Sequence, residues 1–336
     1  MKKLEITKKL ERMAKKQTRF GSLLEDSVAI LNLPAIFRCQ RKCGSCVMQG
    51  NPKIESEKKA RVPLWIILKT ISSFHESFGT KFITVNGRGD PLHPSLVDET
   101  IEKIAFANSR EVGSYIFTAG ENLDDELCRM LAWQEANVMI SLFGNSFVDA
   151  DFFDGKEYQG KERTIAGNIR NLIEAFRRST KKPEEGLTRI GMNYVVSEKD
   201  VPDQRRLRAL RSAANENNIF FVCNVNFREE TDPKLREKIR EIAKQNSDFG
   251  LEHSTYVDGV CQMGAGSSIT IAPDGEIYRC PYMLDGSDGN ITTITLERLQ
   301  RILSGYIRDR RYSCVLRKTE SGLAGQGQNF LGLKDR

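Results

Sequence analysis

The sequence predicts an α/β fold, a parallel sheet of six strands with helices outside it, joined to a smaller C-terminal region of β-hairpin and helix. Two observations carry this prediction. From about residue 28 to residue 230, short runs rich in β-branched and aromatic residues alternate with longer amphipathic ones, as repeated βα units require. Beyond that the pattern changes to a charged helical stretch, "REETDPKLREKIREIAKQNSD", and then to "SITIAPDGEIYRC", which reads as a hairpin turning at Asp274-Gly275. The strands are expected at about 28–37, 81–87, 114–119, 138–144, 189–197 and 219–227, and the helices near 63–78, 96–107, 124–134, 165–178 and 201–217. A polar helix is expected over the first 25 residues or so, because Leu4, Leu10 and Met13 are among its few apolar positions. The glycine-rich end from Ser321 is expected to be a loosely ordered tail or a flap. The expected divisions are therefore 1–27, 28–230, 231–320 and 321–336.

The bulk properties bound the function. The 336 residues suffice for one large domain and an appendage, and 39% apolar with 29% charged residues suits a water-exposed globular chain. No run approaches the ~18 to 20 consecutive apolar residues of a membrane span. The basic N-terminus lacks the apolar core of a secretory signal, so a cytoplasmic protein is expected, with no membrane partner. A net charge of +6 from 51 basic and 45 acidic side chains is mild, and no nucleic-acid partner is expected from it. The densest basic segment, "RRLRALR" at 205–211, reads as the wet face of an amphipathic helix.

The eight cysteines say more, because grouped cysteines in a reducing compartment point to metal binding. Cys39, Cys43 and Cys46 form a C-x₃-C-x₂-C spacing in the loop that follows the first expected strand. Three such thiolates can hold three irons of a 4Fe–4S cluster and leave the fourth iron without a protein ligand. A zinc site asks for a fourth Cys or His close by, and none stands between residues 30 and 60. The second expected strand runs into Asn86-Gly87-Arg88-Gly89-Asp90-Pro91. Glycines there let backbone carbonyls approach an ammonium group, and the carboxylate favours its charge.

The cysteine triad and this Gly-x-Gly-Asp-Pro segment together resemble the motifs of the radical SAM superfamily, and the resemblance extends over roughly residues 28–230. It implies a partial (β/α)6 barrel with Cys39, Cys43 and Cys46 on a 4Fe–4S cluster whose open iron chelates S-adenosylmethionine (AdoMet). It also implies that Gly87, Gly89, Asp90 and Pro91 bind the amino group of the methionine moiety. Asp90 stands where the family usually has Glu, and Ser45 stands where it usually has an aromatic residue against the adenine. Adenine packing must then come from elsewhere, such as Val47 or a late strand. "MISLFG" and "GMNYVVS" are similar to the fourth and fifth strands of the family, which makes Ser141 and Asn193 candidate AdoMet contacts; the alternative is ordinary polarity facing a barrel lumen. The implied chemistry is one-electron cleavage of AdoMet and hydrogen abstraction by a 5′-deoxyadenosyl radical, with flavodoxin or ferredoxin as reductant. His93 reads as a structural residue beside Pro91-Leu92, and neither His75 nor His253 belongs to any constellation.

The C-terminal region carries a second resemblance. Cys261, Gly275 and Cys280 form C-x₁₃-G-x₄-C, similar to the opening of SPASM and twitch domains, and Cys314 is the one later cysteine. The resemblance implies a twitch-like domain with a second, auxiliary iron–sulfur cluster on Cys261, Cys280 and Cys314, its fourth ligand open. Incidental buried thiols or a zinc knuckle are the alternatives.

Two cysteines stand apart. Cys128 lies on an amphipathic helix and reads as core packing. Cys223 lies on the last expected strand, where strand parity decides its role. If Asn224 and Asn226 face the lumen, Cys223 faces the helices and is inert; if Phe221 and Val225 face inward, Cys223 becomes a candidate hydrogen donor. The expected activity is dehydrogenation or epimerisation of a small polar metabolite. The first expectation rests on the roughly 27 residues before the first strand, few for a leader-binding domain. Maturation of a ribosomally made peptide through a crosslink, thioether or D-residue is the alternative, and a non-catalytic metal-binding or electron-carrier protein is the remote one.

Overall fold

The computed structural model describes residues 28, 30–41, 46, 48, 51–57, 59–86, 88–143, 160–179, 189–225, 232–248, 256–257, 260–261, 268–283 and 286–308. The expected N-terminal helix and the tail from Ser321 lie outside them, as do Cys43, Ser45, Val47, Gly87, Asn226, His253 and Cys314. The strands are β1 (Ile30–Asn32), β2 (Phe82–Val85), β3 (Gly113–Thr118), β4 (Asn137–Phe143), β5 (Ile190–Val196), β6 (Phe220–Val225), β7 (Tyr256–Val257), β8 (Val260–Cys261), β9 (Ser268–Ile271) and β10 (Ile277–Tyr278). The helices are α1 (Pro52–Glu57), α2 (Leu64–Phe78), α3 (Val97–Asn108), α4 (Asp125–Trp133), α5 (Gly160–Ser179), α6 (Arg205–Glu216), α7 (Pro233–Asn246) and α8 (Leu296–Arg308).

Eight strands form one open sheet in the order β10-β9-β1-β2-β3-β4-β5-β6, and β7 and β8 pair separately. β1 is parallel to both β2 and β9, β3 to β6 run parallel in succession, and β10 is antiparallel to β9, as β7 is to β8. The six expected strands and five expected helices are thus present, in a parallel sheet that does not close into a barrel.

The chain divides into two compact units. One holds β1, β2, α1 to α3, β9, β10 and α8. Its core lies where Leu31, Ile83, Ile269, Ile271 and Ile277 of the sheet meet Ile67, Ile71 and Phe74 of α2 and Leu299, Leu303 and Tyr306 of α8. The opposite face of the same strands is polar. Asn32 stands in register with Thr84 on one side and Thr270 on the other, and Thr270 with Tyr278. Thr84 Oγ1 donates to Asn32 Oδ1 at 2.5 Å, and Asn32 Nδ2 donates to the Ile269 carbonyl at 3.2 Å. The hairpin β9–β10 therefore continues the sheet beyond β1. The other unit holds β4 to β6 and α4 to α7. There the period of two is plain: Met192, Tyr194 and Val196 of β5 are buried, whereas Asn193 and Val195 are half-exposed.

Three differences from the sequence expectation have physical reasons. β1 ends at Asn32, well short of residue 37, although Leu33 N still donates to the Thr84 carbonyl at 2.8 Å. Pro34 follows, and a residue without an N–H cannot extend the ladder. The helix expected from residue 201 begins at Arg205, after a single 3₁₀ turn over Glu198–Asp200 and the break at Pro202. α1 was not expected, yet its start has a local signal: Asn51 Oδ1 accepts from Lys53 N at 2.9 Å, and Pro52 occupies the first helical position.

The hairpin turn depends on Gly275, whose φ is +85° and whose added Cβ would stand 2.8 Å from Asn290 Oδ1 and 3.0 Å from Val62 Cγ1. A left-handed backbone in a filled site tolerates no other residue cheaply. Gly275→Ala is expected to lower stability by about 1–3 kcal/mol in equilibrium denaturant unfolding; an unchanged midpoint and slope would show that the turn is not constrained in this way.

Candidate active site

The loop after β1 and the loop after β2 are docked through their backbones. Asp90 N donates to the Arg38 carbonyl at 2.9 Å. A Cβ on Gly89 would lie 2.7 Å from both N and O of Arg38, so only glycine allows this approach. The sequence suggested that the glycines make room for an ammonium group. For Gly89 the structure gives a different reason: the room is taken by the neighbouring chain just before Cys39. Pro91 is anchored in turn by Thr100 Oγ1 of α3, which donates to its carbonyl at 2.7 Å.

Cys39 and Cys46 are half-buried, and Asp90 is buried. Burial raises the pKa of the Cys39 thiol; a hydrogen bond from the Arg41 backbone opposes this, and the like charges of Asp90 and Cys46 add to it. The two cysteines and the carboxylate of the second loop therefore share one electrostatic neighbourhood. Thiolates are the donors that iron–sulfur clusters take. Among the described residues no three His, Cys, Asp or Glu side chains gather as a metal-binding group, Cys43 being outside them. What the described part of the site supplies is two thiols of the triad, a carboxylate beside them, and a backbone cradle that excludes a side chain at Gly89. That set fits a cluster on the triad.

Behind this loop lies a buried charged group that motif reading passed over. Arg88, between the two glycines, is 1% exposed, and its Nη2 lies 2.9 Å from Glu57 Oε1 of α1. Its Nη1 donates to the Met283 carbonyl at 3.5 Å, and its guanidinium lies 5.8 Å from the centroid of the Tyr278 ring. Lys53 of α1 pairs with Asp274 of the hairpin turn at 3.1 Å. Burial pushes the Glu57 carboxyl up to about 7, against the pull of Arg88, with Asp274 adding to the rise and Lys53 opposing it. One legible signal existed: a long cation placed between glycines at a strand end needs a specific partner.

In the other unit the structure places Ser141 and Asn193 side by side, as register partners on β4 and β5. Asn224 Nδ2 of β6 donates to Asn193 Oδ1, so all three lie on one face. Half-exposed Phe117, Met139 and Val195 share that face, and sequence reading had not singled them out. Cys223 points the other way. It is the register partner of Tyr194, whose ring packs 6.2 Å from that of Phe221 and whose hydroxyl donates to Asp200 at 2.7 Å. The Cys223 thiol is fully buried, and burial raises its pKa strongly. This is the parity case in which Asn224 shares the face of Asn193 and the Cys223 thiol lies on the packed side, where it is inert. Cys128 is likewise buried, its thiol pushed up to about 12 by burial with Asp124 and Asp125 adding. Cys280 is buried after β10, and Cys261 ends β8.

No family model and no curated protein matches this chain. Solved structures do match. The anSMEcpe structure with bound AdoMet is 14% identical with a TM-score of 0.54, spanning 84% of this chain and 82% of that one. Streptococcus suis SuiB bound to S-adenosylmethionine is 14% identical with a TM-score of 0.53, spanning 89% of this chain and 72% of that one. SuiB bound to the precursor peptide SuiA is equally similar, with 93% of this chain and 74% of that one spanned. At such identities the likeness is one of fold: an open α/β sheet of mainly parallel strands, as expected from the sequence. Among the described residues no helix is long and apolar enough to cross a membrane.

Two outcomes follow from this geometry. Gly89→Ala must force the loops apart, and a loss of about 1–3 kcal/mol is expected, together with less iron retained after anaerobic reconstitution. Wild-type iron content and melting temperature in that variant would contradict the docking. For Glu57 the folded pKa of about 7 lies above the ordinary value of 4.5. Its contribution to stability is therefore full below the ordinary value and is lost as pH rises through about 7. Melting temperature should fall between pH 5 and 8, and Glu57→Gln should flatten that fall while lowering stability throughout, because Arg88 loses its partner. An equally steep pH dependence in the variant would show that Glu57 does not titrate in this range.

Proposed function

We propose that the chain is a radical SAM enzyme. The observation that carries this is the backbone docking of Gly89–Asp90 onto Arg38, which sets the Gly-x-Gly-Asp segment against the cysteine loop within the fold of proteins solved with AdoMet. Cys39, Cys43 and Cys46 would hold a 4Fe–4S cluster. The chemistry supplied by that cluster with AdoMet bound is one-electron cleavage to methionine and a 5′-deoxyadenosyl radical, which takes a hydrogen atom from the substrate.

The chain's own residues bind and orient. Asp90, beside Cys39, offers the negative charge that an amino group needs, and Gly87 and Pro91 shape the same segment. Ser141 and Asn193 offer hydrogen bonds to the ribose or carboxylate, and Asn224 fixes the amide of Asn193. An external one-electron donor of the flavodoxin or ferredoxin type is required.

For the substrate, a peptide has the more specific support, since SuiB was solved with a precursor peptide and anSMEcpe with the Kp18Cys peptide. The second reading is a small polar metabolite, favoured by the amide pair Asn193–Asn224 on a half-open sheet face. The C-terminal region over 231–320 is read as a twitch-like domain whose Cys261, Cys280 and Cys314 hold an auxiliary iron–sulfur cluster, as electron acceptor or substrate site.

Anaerobically reconstituted wild type should convert AdoMet to 5′-deoxyadenosine in the presence of dithionite, and Cys39→Ala should abolish that conversion. Full conversion in Cys39→Ala, or zinc in place of iron after reconstitution, would overturn the assignment. A library of short peptides and of polar metabolites, scored by deuterium incorporated into 5′-deoxyadenosine, separates the two substrate classes.

A further inference from the structure

The segment Arg88-Gly89-Asp90 is gripped from two sides, and both grips belong to the stretch of chain that carries Cys39 and Cys46. One is the entry to that stretch. Asp90 N donates to the Arg38 carbonyl at 2.9 Å, and Gly89 lies too close to Arg38 for a Cβ. The other is α1, the helix that follows Cys46. Arg88 sends a fully buried side chain to its last residue, Glu57, with Nη2 2.9 Å from Oε1. α1 is anchored in turn, by Lys53 on Asp274 at 3.1 Å and, just beyond it, by Val62 N on the Pro273 carbonyl at 2.9 Å. All of these residues lie in one compact unit.

The Arg88–Glu57 grip is a poor source of stability. Arg88 Nε and Nη2 donate no hydrogen bond and Glu57 Oε1 accepts none, so the contact is one of charges without alignment. Only Nη1 finds an acceptor, the Met283 carbonyl at 3.5 Å. A buried pair of this kind returns little beyond its desolvation cost, and an apolar pair of similar volume does as well or better. What an apolar pair lacks is a tie between two particular side chains. Because Arg88 is tethered to Glu57, the backbone two residues before Asp90 is tethered to the helix after the cysteines.

We infer that Arg88 and Glu57 are positioning residues for AdoMet: together they hold the Arg88-Gly89-Asp90 segment so that the Asp90 carboxylate stands where the amino group of the methionine moiety binds. This rests on the radical SAM reading of Asp90. The first grip sets the distance between the two loops, and the second keeps the segment from turning about it. A contact that positions a binding group adds affinity even where it adds no stability.

The test is the AdoMet affinity of the anaerobically reconstituted full chain, measured by equilibrium dialysis with radiolabelled AdoMet at equal iron content. Wild type is compared with Glu57→Gln, Arg88→Met and the double variant Glu57→Leu/Arg88→Met. Each single variant should weaken binding by about tenfold or more. The double variant should melt no lower than wild type, since no charge is left buried alone, and yet bind AdoMet as weakly as the singles. Amide exchange in the protein without cluster or AdoMet gives a second readout. The Asp90 amide should exchange faster in the double variant while α2 keeps its wild-type protection. Wild-type affinity in the double variant, or effects of the two singles that simply add, would overturn the inference, because a merely structural pair moves melting temperature and not affinity. If either single variant fails to fold, the double variant and its Asp90 amide decide in the same way. A wild type that loads iron and binds no AdoMet would instead overturn the radical SAM reading, and the inference with it.

Discussion

The structure turns on one close approach of two backbones. Gly89 and Asp90 lie against Arg38, with an N–H to carbonyl bond of 2.9 Å and no space for a Cβ. This contact places an acidic residue beside the first cysteine of the triad without any side chain having to bridge the gap. It also fixes the start of the cysteine loop, which otherwise follows a strand of only three residues. The strand is cut short by Pro34, and it is held by parallel neighbours on both sides, β2 and β9.

That second neighbour changes the meaning of the C-terminal hairpin. β9 pairs with β1 and carries Thr270 into the polar row of Asn32 and Thr84, while Ile269 and Ile271 enter the core beneath α2 and α8. The hairpin is thus part of the wall that supports the cysteine loop. Lys53–Asp274 and the Arg88 contacts to Glu57, Met283 and Tyr278 tie the same hairpin to α1 and to the Gly-x-Gly-Asp segment. Arg88 and Glu57 are buried, and a buried ion pair adds little net stability compared with apolar packing.

Much of the fold could be read from the sequence because its elements are strongly periodic. The alternation of β-rich and amphipathic runs gave the six parallel strands, and Asp274-Gly275 gave the hairpin turn. What stayed hidden was long-range pairing. Nothing local in "SSITI" tells that it joins the β1 edge, since strand order is fixed by which faces bury together rather than by any residue in the strand. The candidate site was legible where a motif concentrates chemistry, at Cys39, Cys46, Gly89 and Asp90. At Arg88 only the cation between glycines was legible; its partner Glu57, 31 positions earlier in sequence, and the burial of the pair appear only in the structure. Cys223 was the intermediate case: parity limited it to two orientations, and the Asn193–Asn224 bond selects the one that leaves the thiol on the packed face.

Binding of AdoMet to an open iron at the cysteine triad is the claim on which the functional reading stands. The most direct measurement is electron–nuclear double resonance on reduced, reconstituted protein with AdoMet labelled by ¹⁵N in its amino group and ¹⁷O in its carboxylate. Hyperfine coupling of both labels to the cluster is expected in wild type and absent in Cys39→Ala. A cluster signal that AdoMet leaves unchanged, with no coupling to either label, would contradict the reading.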